Sequence, residues 1–330
     1  MDYVIAGDLG GTKTAWVAFE LTKDKTLGRM IGEPFALVDT EYKSFSSLAA
    51  DADGNFPKGV NFKKAAAISI GAAGVWDAKD QVVKLPHYWE GEANIGEFIR
   101  SQKIDPKHVR ILNDFESEVR CIATEVVADA VVLQKSQSVP DATSSILIGP
   151  GTGLGVAALT KENTVIRSEG GNIPIGFPIS STFRAIWPYM INFWNEEGIT
   201  CPRFEDILSG NGLANLHFVL TGHRLETPEI SGLIKKNKAD ETRDFFAEIL
   251  GLACQSAAYF FWLPKTIYLT GGVLKKTPEL ATSQAFLKAF NAATAHQDEI
   301  HTIGVSLIKN PFTALYGAGA AAAVVAQKLH

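Results

Sequence analysis

The sequence predicts an α/β protein with two lobes that share a cleft. The chain has 330 residues, which exceeds one typical domain of about 100–200 residues. A pattern of apolar strand, glycine turn and apolar strand occurs twice, over residues 3–19 and 145–159. Between the two copies, a predicted buried strand ends in Asn113-Asp114. Two glycine turns with a strand-end carboxylate between them indicate a duplicated fold that holds a polyphosphate from both lobes.

The first glycine turn separates the apolar residues 3–6 from the apolar residues 15–19, a pattern typical of a β-hairpin. Backbone amides of residues without a Cβ can approach an anion closely. The hydroxyl of Thr12 and the ammonium group of Lys13 could bind the same anion. The turn is therefore a candidate phosphate site, with an ordinary tight hairpin as the alternative. Its candidate residues are Gly10, Gly11, Thr12 and Lys13. Asp8 adds a carboxylate at the strand end, which would suit Mg²⁺ bound through water and bridging phosphate oxygens.

The second candidate feature is the strand end at Asn113 and Asp114. Residues 109–112 predict a buried strand, and the apolar spacing after Asp114 predicts a helix. Polar side chains at the carboxyl edge of an α/β sheet lie where ligands bind. Asp114 is therefore a candidate base and Asn113 a candidate hydrogen-bond partner. Capping of the following helix is the alternative role of both residues.

The second glycine turn repeats the pattern of the first. Its candidate phosphate-binding residues are Gly151, Thr152 and Gly153. The turn is not a Walker A loop, because no Gly-Lys-Ser/Thr follows, and it is not a dinucleotide fingerprint, because a strand follows instead of a helix. Further along the chain, a predicted buried strand ends in Gly271-Gly272, where close backbone approach could seat an adenine or a ribose.

Two more segments place carboxylates on turns, at Glu169-Gly-Gly-Asn172 and at Glu196-Glu197. Polar clusters that converge on one cleft suit a polyhydroxylated ligand, whose hydroxyls need acceptors as well as donors. Glu169 and Glu197 are therefore candidate residues for binding such a ligand. Simple surface exposure is the alternative for Glu197.

Charge and cysteine content argue against several classes of function. The formal net charge is −5 and the Lys and Arg residues are dispersed, so the basic stripe of a nucleic-acid binder is missing. The three cysteines are isolated and odd in number, which argues against a disulfide framework or a zinc site. The start of the chain lacks the pattern of an export signal, and the longest apolar run is shorter than the roughly 20 residues that cross a bilayer. We expect a cytoplasmic protein that binds neither nucleic acid nor membranes.

Taken in order, these motifs resemble the bacterial glucokinases, within the superfamily of sugar kinases, actin and Hsp70-like ATPases. The resemblance covers nearly the whole chain and rests on Gly7-Asp8-Leu-Gly-Gly-Thr12, Leu112-Asn-Asp-Phe115, Gly149-Pro-Gly-Thr-Gly-Leu-Gly155, Glu169-Gly-Gly171, Leu208-Ser-Gly-Asn-Gly-Leu213 with Asn215-Leu216, and Leu269-Thr-Gly-Gly-Val273. It implies a two-lobed, duplicated actin-like ATPase (ribonuclease H-like) fold with a cleft between the lobes, and it raises the expectation of a homodimer. We expect a small domain of residues 1–112 with 310–330 and a large domain of residues 113–309.

The resemblance also implies that the protein uses ATP and Mg²⁺ to phosphorylate the 6-hydroxyl of glucose or a close hexose. Asp114 would be the general base on that hydroxyl. The other sugar hydroxyls would be bound by Asn113, Glu169 and Glu197, with Glu196 as a competitor for the last role. The phosphates would lie between the turns of Thr12 and Thr152, and the adenosine near Gly271-Gly272.

Two positions near the sugar depart from the family pattern. Asn172 stands where the family usually has His, and Pro86 stands where it usually has Asn. A kinase for another hexose or an N-acetylhexosamine is therefore an alternative. Further alternatives are an actin-like or chaperone-like ATPase without a sugar substrate and a sugar-sensing regulator without catalysis. Polyphosphate or ADP could replace ATP as the donor.

Overall fold

The computed structural model describes residues 2–85, 89–137, 144–176, 178–293 and 295–329. The chain forms two compact units: unit 1 is Met1–Val127 with Phe312–His330, and unit 2 is Ala128–Pro311. The sequence-based domain boundaries lie elsewhere, after residues 112 and 309. Residues 113–127 group with unit 1 because the helix that begins at Asp114 packs against a strand and the C-terminal helix of that unit.

Strands and helices are interspersed along the chain, as expected of an α/β protein. In the described residues, the strands are β1 (Tyr3–Leu9), β2 (Lys13–Leu21), β3 (Leu27–Val38), β4 (Ala67–Ala72), β5 (Val75–Asp77), β6 (Val82–Lys84), β7 (Glu92–Asn94), β8 (Val109–Asn113), β9 (Val131–Gln134), β10 (Ser144–Pro150), β11 (Leu154–Thr160), β12 (Val165–Arg167), β13 (Thr266–Leu269) and β14 (Gly304–Leu307). The α-helices there are α1 (Phe45–Asn55), α2 (Ile95–Ser101), α3 (Asp114–Glu118), α4 (Ser181–Glu196), α5 (Gly210–Thr221), α6 (Thr227–Lys235), α7 (Asp240–Phe260), α8 (Gly272–Lys276), α9 (Glu279–Thr282), α10 (Gln284–Phe290), α11 (Gln297–Thr302) and α12 (Thr313–Lys328). The predicted α/β class is confirmed.

The main sheet of unit 1 has the strand order β3-β2-β1-β4-β8. Strands β1 and β2 form the predicted antiparallel hairpin, with Tyr3 opposite Glu20 and Leu9 opposite Thr14. Strands β4 and β8 extend the sheet in parallel from β1. Because helices cover parallel strands on both faces, β1 and β4 are almost entirely buried and apolar. The three strands β1, β4 and β8 therefore end at one edge of the sheet.

The main sheet of unit 2 repeats this arrangement, with the order β12-β11-β10-β13-β14-β9. Strands β10 and β11 form the second predicted hairpin, and β13 and β14 run parallel to β10. Strand β9 adds an antiparallel partner at the far edge. Both sheets thus share a run of three antiparallel strands followed by two parallel ones, to which the unit 2 sheet adds β9 as a sixth strand. The duplication predicted from the two glycine turns is confirmed.

Helix α3 packs very closely between strand β4 and the C-terminal helix. A Cβ added to Gly71 of β4 would lie 2.7 Å from the Cβ of Ser117, and one added to Gly317 of α12 would lie 2.0 Å from the Ser117 carbonyl oxygen. Only glycine allows backbones to approach this closely. The α-helical part of the predicted helix ends at Glu118, and the chain continues as a 3₁₀ helix over Val119–Ala123. This packing fixes the start of α3, where Asp114 lies.

Each unit has its own apolar core. In unit 1, the ring of the fully buried Trp16 contacts the ring of Phe62 edge-on, with centroids 5.1 Å apart. In unit 2, Trp187 contacts Trp194 in the same manner at 5.5 Å. Among the described residues, no helix is both long enough and apolar enough to cross a membrane.

Candidate functional site

Asp114 lies at the junction of β8 and α3, at the carboxyl edge of the unit 1 sheet. Its side chain is half-buried, and one carboxylate oxygen accepts a hydrogen bond from the Phe115 amide at 2.8 Å. Burial raises the pKa of Asp114, and the negative charge of Glu118 raises it further, against the lowering effects of the Phe115 amide and the Asn113 side chain. A carboxylate with a raised pKa is a stronger base than an ordinary aspartate. The geometry therefore suits proton acceptance.

Asn113 fulfils the capping role that we considered for it. Its side-chain oxygen accepts hydrogen bonds from the amides of Phe115 at 3.1 Å and Glu116 at 3.2 Å, so it is the N-cap of α3. The side chain is exposed. Because the oxygen is committed to the helix, any ligand would be bound through the NH₂ group. Capping and ligand binding are compatible in this residue.

The first glycine turn connects β1 and β2 in unit 1. The Gly10 amide donates to the Lys13 carbonyl oxygen at 3.2 Å, which closes the turn. Gly11, Thr12 and Lys13 are exposed, so their amide, hydroxyl and ammonium groups lie at the surface. Asp8 is half-buried near the end of β1 and pairs in register with Gly71 of β4. A carboxylate oxygen is the type of ligand that Mg²⁺ takes together with water and phosphate, so Asp8 fits the predicted role.

Asp39, a residue that the sequence did not indicate, forms hydrogen bonds to residues at the first glycine turn. The Asp39 amide donates to the Thr12 carbonyl oxygen at 3.1 Å, and the Thr14 hydroxyl donates to the Asp39 carboxylate at 2.7 Å. Asp39 is fully buried, and burial raises the pKa of its carboxyl group, although the bonds to Thr14 oppose this. Asp39 is the residue directly after β3, and only the fold brings it to the first glycine turn.

The second glycine turn lies at a pocket of about 390 Å³ within unit 2. We call this the glycine pocket, and its lining residues are Gly151, Thr152, Gly210, Asn211, Thr227, Ser231, Gly272, Val273 and Lys276. The Gly151 amide donates to the Gly153 carbonyl oxygen at 2.8 Å, and the Gly210 amide donates to the Gly151 carbonyl oxygen at 2.9 Å. The structure thus brings the second turn and Gly272 to one pocket, and it adds the start of α5 to them.

Gly271 allows the end of β13 to approach the second turn. Its φ is +92°, and a Cβ at this position would lie 2.3 Å from the carbonyl oxygen of Pro150. A side chain is therefore excluded both by backbone conformation and by space. Gly272 follows as the first residue of α8, with nothing within 4 Å of its Cβ position. The two glycines thus have different roles: the first sets the backbone path, and the second lines the glycine pocket.

Glu169 and Asn172 lie on a tight turn in unit 2, which we call the 169–172 turn. The side-chain nitrogen Nδ2 of Asn172 donates to a Glu169 carboxylate oxygen at 3.1 Å. The Asn172 oxygen accepts from the Arg203 guanidinium at 2.6 Å. A Cβ on Gly171 would lie 2.3 Å from the Leu154 carbonyl oxygen, so the turn lies directly on β11. The structure brings these two predicted residues together and adds Arg203, which the sequence did not indicate.

A second pocket, of about 370 Å³, borders the same turn. Glu169, Ser168 and Ser256 contribute polar side chains to it. The rest of its lining is apolar or glycine: Leu154, Val156, Gly170, Ile173, Phe204, Ala253, Ala257, Phe260 and Phe261. Such a lining does not suit a polyhydroxylated ligand, whose hydroxyls need polar partners on several sides. We therefore do not assign this pocket to a sugar.

Glu197 lies at the C-terminal end of α4. Its amide donates to the Phe193 carbonyl oxygen at 3.0 Å, and its side chain, like that of Glu196, is exposed. The hydrogen bonds of the 169–172 turn run to Arg203, so they do not decide between Glu196 and Glu197. Pro86 lies outside the described residues. In the described ranges, no group of three or more His, Cys, Asp or Glu could hold a metal ion.

The chain is similar in sequence to known proteins over most of its length. A sequence model of the family described as Glucokinase matches residues 5–325. A glucokinase from Sinorhizobium fredii (strain NBRC 101917 / NGR234) is 28% identical over 336 residues, which cover 96% of this chain and 91% of that protein. The family match includes both glycine turns, the strand end at Asp114 and the 169–172 turn.

Two solved structures are similar in fold. A glucokinase from an Antarctic psychrotroph gives a TM-score of 0.80 at 19% identity and covers 97% of this chain and 98% of that one. A glucokinase from Balamuthia mandrillaris, in complex with glucose, gives a TM-score of 0.76 at 15% identity and covers 98% of this chain and 93% of that one. At these identities the likeness concerns the fold, and it confirms the predicted fold class.

Proposed function

Because the chain belongs to the glucokinase family, we propose that it transfers the γ-phosphoryl group of ATP to the 6-hydroxyl of glucose. The observation that carries this proposal is the family match over residues 5–325, a range that contains both glycine turns, Asp114 and the 169–172 turn. The geometry of Asp114 and of the glycine pocket supports it. ATP is the donor, and we place the reaction in the cytoplasm, where ATP is available.

Asp114 acts as the general base in this proposal. Phosphoryl transfer passes through a loose transition state, so the enzyme mainly aligns the acceptor oxygen and stabilises charge on the phosphoryl oxygens. The hydrogen bond from the Phe115 amide orients the Asp114 carboxylate. Its raised pKa favours acceptance of the proton that the 6-hydroxyl loses as its oxygen attacks the phosphorus.

The remaining sugar hydroxyls are bound by side chains that donate hydrogen bonds and by side chains that accept them. Asn113 donates through its NH₂ group, because its oxygen caps α3. Glu169 accepts from hydroxyls, and Asn172 supports Glu169 through the hydrogen bond between them. Glu197 is proposed as a further acceptor, with Glu196 as its competitor. This mixture of donors and acceptors matches a sugar, whose hydroxyls do both.

ATP is bound by the glycine turns and the glycine pocket. Gly151, Thr152 and Gly153 contribute amides and a hydroxyl to the phosphates, and Gly271 and Gly272 lie beside the adenosine. In unit 1, the phosphate ligands are Gly10, Gly11, Thr12 and Lys13. Asp8 would hold Mg²⁺ through water, and the ion would neutralise charge on the phosphate oxygens.

A homodimer is part of the proposal, and light scattering after size-exclusion chromatography tests it.

The experiment that tests the function is coupled ADP release with Mg-ATP, with and without glucose, mannose, fructose, N-acetylglucosamine and N-acetylmannosamine. We expect turnover with glucose and little without sugar, because sugar binding is needed to complete the site and to limit attack by water. Turnover with another sugar alone would keep the mechanism and change the substrate, with Asn172 as the first position to examine. Sugar-independent hydrolysis would move the protein to the ATPase class and refute the proposal.

The pKa of Asp114 predicts the acid side of the pH profile. The base must be deprotonated, so activity is present above this pKa and is lost as the pH falls through it. Because burial raises the pKa above the ordinary value of 3.8, the acid limb of kcat/KM for glucose should lie above that value. Glu118→Gln removes a negative charge that raises the pKa and should move the limb to lower pH. Asn113→Ala removes a hydrogen bond that lowers the pKa and should move it to higher pH.

The measurement is kcat/KM for glucose between about pH 4 and 8, for these two variants and the wild type. This range is chosen because perturbed carboxyl groups in proteins titrate between roughly pH 3 and 7. The titration of ATP is common to the three enzymes, so differences between them report on the protein. Limbs that coincide, or that move together in one direction, would contradict the assignment of the limb to Asp114.

A further inference from the structure

The guanidinium group of Arg203 is held rigidly by Asp206. Nε and Nη2 donate to the two Asp206 carboxylate oxygens at 3.2 and 3.0 Å, and the Arg203 amide donates to the same carboxylate at 2.7 Å. A fork that makes two parallel hydrogen bonds fixes the plane of the guanidinium as well as its position. The third nitrogen, Nη1, therefore has a defined direction.

Nη1 of Arg203 determines the orientation of Asn172. It donates to the Asn172 oxygen at 2.6 Å. Arginine has only donors, so Asn172 must direct its oxygen to Arg203 and its nitrogen to the other neighbour, Glu169, which lies 3.1 Å away. The second N–H of the carboxamide therefore remains available to a ligand, and the hydrogen bond from the first N–H orients the Glu169 carboxylate.

The same nitrogen also forms an ion pair with a carboxylate beside the second glycine turn. Nη1 lies 2.9 Å from an oxygen of Glu205. The other Glu205 oxygen lies 3.0 Å from the position that a Cβ on Gly153 would occupy. A negative charge so close to a turn that binds phosphate would repel the ligand. Pairing with Arg203 reduces that repulsion.

We propose that Arg203 is a positioning residue for both substrates: it orients Asn172 and Glu169 toward the sugar, and it shields the phosphate turn at Gly153 from Glu205. This inference rests on the proposed function, because it assumes that the 169–172 turn binds the sugar and that the second glycine turn binds phosphate. In this proposal Arg203 acts through its protein partners Asn172 and Glu205. All of its partners named here belong to unit 2.

The first test compares Arg203→Met with Arg243→Met. Arg243 is a matched control, because its guanidinium is also held by two carboxylates of unit 2, Asp240 and Asp244, at 2.8 Å each. We expect Arg203→Met to raise KM for glucose about tenfold, the scale of one lost charge-assisted hydrogen bond. KM for ATP should rise about threefold, since the Glu205 charge is partly screened by solvent. Arg243→Met should leave both constants unchanged.

The change should appear in KM more than in kcat, because contacts that hold the sugar throughout the reaction stabilise ground state and transition state alike. Two double variants separate the two effects. Arg203→Met combined with Glu205→Gln should return KM for ATP to the wild-type value while KM for glucose stays raised. Arg203→Met combined with Asn172→Ala should show the same KM for glucose as Asn172→Ala alone, because Arg203 acts on the sugar through Asn172.

A purely structural role for Arg203 predicts something different. In that case both Met variants would lower the melting temperature, neither would change KM, and the effects of the double variants would simply add. That result would overturn the inference and leave the proposed function intact. If the wild-type enzyme releases no ADP in response to sugar, the proposed function fails, and the inference falls with it.

Discussion

Replacing Asp114 with Asn should lower kcat by on the order of 10²-fold or more, the usual scale for the loss of a positioned base. Asn has nearly the same shape as Asp, and its side-chain oxygen can still accept the hydrogen bond from the Phe115 amide. The backbone at the start of α3 should therefore keep its path. What the variant loses is the ability to take the proton from the sugar hydroxyl.

The measurement is kcat, with KM for glucose and ATP, in the coupled assay. KM should change by less than the change in kcat, because the variant keeps a hydrogen-bonding group at the same place. Asp24→Asn is the control, since it makes the same substitution at an exposed position in unit 1. Near-normal turnover by Asp114→Asn would remove Asp114 from the mechanism, and a large rise in KM with normal kcat would make it a binding residue instead.

The features that the sequence predicted correctly are those that depend on local backbone chemistry. A pair of glycines between two apolar runs allows a tight hairpin, and both hairpins are present in the structure. A polar pair after a buried run indicates a strand end at a helix start, and Asn113 and Asp114 lie there. Such signals lie within a few residues of one another, so they can be read without knowledge of the fold.

The features that the sequence did not reveal depend on contacts between distant segments. Arg203 follows Asn172 by 31 positions and meets it only because the two segments pair side by side. Asp39 reaches the first glycine turn by way of strand β3. Local sequence does not show that α3 belongs to unit 1, because its contact is with Gly317, which lies about 200 residues further along the chain and packs on Ser117. The roles of these residues follow from tertiary structure alone.

Gly271→Ala should damage both stability and ATP binding, because this residue has no room for a side chain. Its φ of +92° is a conformation that alanine adopts only with strain, at a cost of about 1–3 kcal/mol. The added methyl group would also lie 2.3 Å from the Pro150 carbonyl oxygen, and overpacking of this kind costs a further 1–3 kcal/mol or so. Relief of the clash must move either β13 or the second glycine turn, so KM for ATP should rise at least about tenfold.

Gly272→Ala is the control, because it makes the same change one residue later, where neither cause applies. At Gly272, no atom is found within 4 Å of the Cβ position, and φ is not positive. Its melting temperature should equal that of the wild type, whereas Gly271→Ala should melt several degrees lower, at about 2–4 °C for each kcal/mol. Equal melting temperatures for the two variants would show that β13 does not approach Pro150 as closely as described. The difference between two adjacent glycines therefore tests whether backbone contact, and not flexibility, shapes the glycine pocket.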